Sequence, residues 1–135
     1  MPELVDLHES FGYHAFESIY RKHAGTYSID HGQAKLALGW TAFMAIGDLS
    51  IGRSKVIQRL DIVEKQALDE LDAHAAARER EFNGLYLVGI SSAESRDNYI
   101  AQERKLLQFF RQRLKDNFSI QRHVLTDMFD AKRRP

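Results

Sequence analysis

The chain contains no cysteine, and its two prolines sit at the extremes, Pro2 and Pro135. The first absence excludes a disulfide framework, a thiolate metal centre and a cysteine nucleophile, and it accords with a reducing, cytoplasmic setting. The second leaves the whole interior free of the strongest helix breaker. No apolar run approaches the roughly 20 residues needed to span a bilayer, so no membrane association is expected. The opening MPELVDLHES carries Glu3, Asp6 and Glu9 where a secretory signal has a basic region. Net charge is missing too, with 19 basic and 19 acidic residues. No bulk field therefore draws the chain toward nucleic acid. The distribution is uneven, however: residues 69–103 hold three bases and eight acids, and residues 104–135 hold nine and three. A fold could still gather a basic face from these blocks.

What is present is helical periodicity. At 135 residues and 44% apolar side chains the chain is one domain, residues 1–135, with enough apolar surface for an ordinary core. Leu4, Leu7, Phe11, Ala15 and Ile19 form a stripe that predicts a first helix over about Glu3 to His23. It ends at HAGTYSIDHG, where Gly25 and Gly32 bracket turn residues. QAKLALGWTAFMAI is apolar on nearly all sides and reads as a second, central helix from Gln33 to Ile46, with Trp40 and Phe43 as core anchors. The run LYLVGI, residues 85–90, lies between Asn83-Gly84 and Ser91-Ser92 and reads as a short buried strand, with residues 67–72 as its nearest partner. From about Ser95 a carboxy-terminal helix carries Ile100, Leu107, Phe110, Leu114 and Phe118 on one side. KDNFS is expected to break it, with Ser119 capping a last helix. The breadth of that apolar face also suits a homodimer seam.

The stretch SIGRSKVIQRLDIVEKQAL, residues 50–68, bears most directly on function. A turn at GDLSIG leads into a helix from Arg53 on which Val56, Leu60, Val63 and Ala67 share one inward face. Ser54, Lys55, Gln58, Asp61 and Lys65 lie roughly opposite, with Arg53 and Arg59 beside the stripe. RSKVIQRLDIVEKQAL resembles the recognition helix of winged helix-turn-helix regulators of MarR type. That resemblance implies a winged core over about residues 26–92 with a small β wing. It also implies a recognition helix at residues 53–66 in the major groove of double-stranded DNA, and packing and dimerisation helices at residues 1–25 and 93–135. Arg53, Ser54, Lys55, Gln58 and Arg59 would then be the DNA contacts, with Val56, Leu60 and Val63 holding the helix on its core. The competing reading is a single helix from Arg53 to about Phe82 in an all-α bundle. DAHAAARERE favours it, being a good helix sequence with no glycine for a hairpin tip, and so does Ala67, which continues a helix.

Enzyme chemistry has no foothold in the sequence. There is no glycine-rich phosphate loop, nucleophile elbow or HExxH helix. His14 and Glu17 lie one turn apart, but no second ligand pair answers them, and Asp30-His31, His74 and His123 form no pattern. No catalytic residue, metal ligand or cofactor is expected. The sequence thus supports a mainly helical, non-enzymatic, homodimeric DNA-binding regulator. The alternative is an all-helical factor that covers the surface of a protein partner, as an adaptor, inhibitor or immunity-type protein does.

Overall fold

In the computed structural model, residues 14–30, 33–47 and 49–133 are described. Helix α1 spans His14–His23, strands β1 and β2 span Thr26–Asp30 and Gln33–Ala37, and a short helix α2 spans Trp40–Ile46. A single 3-10 turn at Leu49–Ile51 then leads into α3, Arg53–Leu87, and α4, Ala93–Arg133. The described chain is mainly helical and dominated by the hairpin that α3 and α4 form. At 1.5 Å per residue these helices are roughly 52 and 62 Å long. The portion of the expected first helix before His14 lies outside the described residues.

The inward stripe that begins at Val56 continues well beyond Ala67. Val56, Leu60, Val63, Ala67, Leu71, Ala75 and Phe82 are all buried, and they face a matching row on α4 formed by Phe110, Leu114, Phe118 and Leu125. Arg78, a charged residue on this face by its spacing, is accommodated by donating from Nε to the buried Glu103 carboxylate on α4. Phe82 stacks on Tyr99, with ring centroids 4.9 Å apart. The buried face therefore runs as far as Phe82, just before the last turn of α3. Along it, inward positions recur every three or four residues, about 3.7 on average, which is closer to an eleven-residue repeat than to a heptad.

This geometry corrects the wing. Residues 67–72 and 85–87 belong to α3, and Val88–Ile90 lie in the turn that follows it, so neither segment is a strand. The alanine-rich stretch propagates the helix, and the tertiary row from Ala75 through Arg78 to Phe82 holds it in register. An all-α bundle with one small hairpin accounts for what is seen.

Two further expectations are corrected. Residues 33–46 are not one helix: β2 pairs antiparallel with β1 in a register that closes Asp30 on Gln33 and Thr26 on Ala37. Gly39 separates strand from helix because its backbone packs on His23 and Ala24, where a Cβ would press into their main chain. The helix that remains is too short to be central, and Trp40 and Phe43 are exposed rather than core. Nor does α4 break at KDNFS. Asn117 and Phe118 both point inward, and the Asn117 amide donates to the Tyr20 hydroxyl at 2.7 Å. Ser119 is left on the solvent face of a continuous helix.

The remaining elements gather near the base of the hairpin. α1 lies against both long helices: Phe16 packs against Phe110 and the His74 ring, and the Gln121 amide donates to the Ala24 carbonyl. Gly25, at φ +73, makes the turn from α1 into β1, pressed so closely against the Ala37 carbonyl and Gly39 that no side chain fits. Ionic contacts line one edge of the hairpin. Arg122 reaches Asp61 and Glu64, Arg111 reaches Asp72, and Arg104 reaches Glu79, so α3 supplies the acids and α4 the arginines.

Candidate interaction surface

The five residues of the expected DNA contact set fall at the first two turns of α3, as the periodicity requires. Ser54, Lys55 and Gln58 are exposed there and lie outward, while Val56 is fully buried and fixes that orientation. The two arginines are engaged within the chain. Arg59 donates from Nη1 to the Ile46 carbonyl at 2.6 Å, closing the end of α2 onto α3. Arg53 pairs with Asp130 on α4 at 3.6 Å. The structure thus brings together three outward polar side chains and diverts the two cations expected beside them. Arg122, further along the same end, is also committed. Burial alone would lower its pKa, but its contacts with Glu64 and Asp61 outweigh that and hold it above its ordinary value.

The opposite end of the hairpin has a different character. Leu85, Tyr86, Leu87, Val88 and Ile90 are all exposed, reaching 80% at Leu87, 72% at Ile90 and 69% at Val88. They occupy the last turn of α3 and the connection into α4. The backbone there is well ordered by its own bonds: Val88 and Ile90 donate to the carbonyls of Gly84 and Leu85. Gly89 adopts φ +79, a conformation that glycine takes without strain. Ser92 caps α4, its hydroxyl accepting from the Ser95 amide at 3.1 Å. The Arg96 guanidinium lies over the Tyr86 ring at 4.2 Å, which fixes the flank of the tip. The result is an apolar knob on a preorganised turn. A second exposed apolar face lies on α2, at Trp40, Phe43 and Met44.

Sequence reading missed the knob because six apolar residues between turn signals look alike whether they enter a sheet or cap a hairpin. The distinguishing signal was present in the helix-forming run that precedes them. The α2 face escapes the sequence for a related reason, since an all-round apolar composition reads as burial.

Between these ends the interior holds polar groups. His23 on α1 is buried and bonds through Nε2 to the Glu70 carboxylate on α3. Burial pushes the Glu70 pKa up, but the contacts with His23 and Lys22 outweigh it and leave it below its ordinary value. One turn on, His74 meets the Phe16 ring edge to face at 5.1 Å. Desolvation there holds the His74 pKa below its ordinary value, against the pull of Glu103. Among the described residues no three His, Asp or Glu side chains converge in a way that could hold a metal ion. His14 and Glu17 line an open surface depression with Ser18 and Arg21. Among those residues, too, no helix is long and apolar enough to cross a membrane.

No protein-family model matches the chain, and no curated protein or solved structure matches it either. The likeness to MarR-type regulators therefore rests on residues 53–68 alone.

Proposed function

We propose that this chain is a non-enzymatic protein–protein interaction factor that presents the apolar tip of its α3–α4 hairpin to a groove on a protein partner. The observation that carries this reading is the cluster Leu85, Tyr86, Leu87, Val88 and Ile90, held out at the end of two long paired helices. Exposed aliphatic side chains on an ordered turn bear an unfavourable hydration cost that a matching pocket removes. Little entropy is lost on docking, because the turn is already fixed. The flanks of the knob carry both signs of charge, with Arg80 and Arg96 among Glu81, Glu94 and Asp97. Such a surface has no positive field to attract phosphates or an anionic bilayer, which favours a protein groove. A cytoplasmic location accords with the lack of cysteine.

The second reading is a homodimeric DNA-binding regulator, and one observation favours it: Ser54, Lys55 and Gln58 stand together and outward at the start of α3. It has to manage without a wing at residues 67–90 and without free guanidinium groups at Arg53 and Arg59. Its dimer seam also loses Phe110, Leu114 and Phe118, which are buried within one chain.

A photo-crosslinking amino acid at position 87, compared with one at position 112 in mid-helix, identifies what touches the tip in cells. The captured protein, purified, is then titrated against the native chain and against Leu87→Asp and Ile90→Asp. The expected result is at least about a tenfold loss of affinity in each variant, equivalent to roughly 1.4 kcal/mol, with melting temperature nearly unchanged. Equal affinity in native and variant chains would remove the tip from the interface. Salt-dependent duplex binding that Lys55→Ala and Gln58→Ala weaken and Leu87→Asp leaves alone would establish the second reading instead.

A further inference from the structure

The contact between α1 and the long helices is built around two histidines in a way that simple packing does not require. His74 sits on α3 with its ring edge against Phe16 of α1, and its Nε2 is enclosed without a hydrogen-bond partner among the described residues. His23, two turns along α1, is buried and bonded to Glu70, while its Nδ1 is likewise enclosed and unbonded. A neutral imidazole tolerates such surroundings, but an imidazolium needs acceptors or water at both nitrogens.

The charges around His74 do not supply that compensation. On its own helix stand Glu70, Arg78 and Glu81, and on α4 stands Glu103, while α1 brings Phe16 and, on the far side of Glu70, Lys22 and His23. All three acids already have cations. Glu103 and Glu81 are paired with Arg78, and Glu70 with His23 and Lys22. Arg78 itself opposes a second positive charge nearby.

We propose that α1 is an acid-released strap: a proton on His74 drives its ring away from Phe16 and frees α1, uncovering the Phe110 ring on which Phe16 packs. The sign follows from linkage. A histidine whose folded pKa lies below its ordinary 6.5 leaves docking at full strength above that pH and weakens it as pH falls below. Glu70 is held below its ordinary 4.5, so it stays charged through the same window and adds its own loss only at lower pH. His23 makes its contact with Glu70 rather than with Phe16. The two histidines are therefore separable by mutation.

The test is amide hydrogen exchange on the full chain at pH 7.5 and 5.0, corrected for intrinsic rates, for the native protein, His74→Leu and His23→Gln. Circular dichroism verifies that each variant is folded, and His74→Met replaces His74→Leu if the latter is not. In the native protein and in His23→Gln, amides of residues 17–24 should exchange about tenfold faster or more at pH 5.0, while those of α3 and α4 around Val63–Leu71 and Phe110–Phe118 keep their protection. In His74→Leu the difference should vanish. An unchanged α1, an acid effect that survives in the His74 variant, or simultaneous loss of protection in α3 and α4 would each overturn the proposal.

Discussion

At the scale of single residues, the side chain that most shapes this molecule is Arg78. It interrupts an otherwise apolar stripe, yet it is largely buried, bonded to the enclosed Glu103 and laid over the Phe82 ring at 5.1 Å. Removing one member of a buried pair leaves a desolvated charge, whereas replacing both leaves only a packing problem. Arg78→Met should therefore destabilise the fold by about 3 kcal/mol in urea denaturation. Arg78→Met combined with Glu103→Leu should recover most of that loss. A double variant as unstable as the single one would mean that the pair contributes through other contacts than the one between its charges. The choice of an ion pair here also explains why the sequence was hard to read. Position 78 lies on the buried face by spacing but carries a residue usually found in water, and its partner lies 25 positions away on another helix.

At the scale of elements, the two ends of the hairpin connection are tuned in opposite directions. Gly84 lies in the last turn of α3 with open space where a Cβ would project. Gly84→Ala should stabilise the protein by roughly 0.5–1 kcal/mol, since alanine loses less backbone freedom in a helix. Ser92 caps α4, and Ser92→Ala should cost about 1 kcal/mol. Thermal melts of the two variants should shift in opposite senses, and shifts of the same sign would show that the connection is not in the conformation described. Much of this level was legible beforehand. The inward row Val56, Leu60, Val63 and Ala67, the outward Lys55 and Gln58, and the carboxy-terminal row Phe110, Leu114 and Phe118 all follow from helical spacing and stand as read. Two kinds of element were not legible. The β1–β2 hairpin hid because Thr26–Asp30 was read as turn and Gln33–Ala37 as helix, although His31-Gly32 between two five-residue segments is a hairpin signal. The continuity of α4 through KDNFS depends on Tyr20 and Ala24 receiving Asn117 and Gln121, contacts that local propensity does not contain. For the candidate surface, the positions at 53–59 could be placed from periodicity, but the engagement of Arg53 and Arg59 and the exposure of the tip depend on how the elements meet.

At the scale of the whole molecule, stability should depend little on salt despite the many ion pairs. The pairs at Arg104, Arg111 and Arg122 lie along one solvent-facing edge of the hairpin, and such pairs typically contribute 0.2–1 kcal/mol each and are screened within about 10 Å at 0.1 M. Raising sodium chloride from about 0.05 to 0.5 M should move the melting temperature by no more than about 5 °C, and a collapse of 15 °C or more would assign the fold's stability to that edge rather than to its apolar row. The edge still helps to set how far the helices slide past each other, since each arginine meets its acid in one register only. Combined with the 3.7-residue spacing of the buried row, this makes the hairpin a ruler. Eleven residues complete three turns at that spacing. Excising eleven from each arm should therefore bring the tip roughly 16 Å nearer the base while leaving it aimed in the same direction, so that reach can change over evolutionary time without changing bearing.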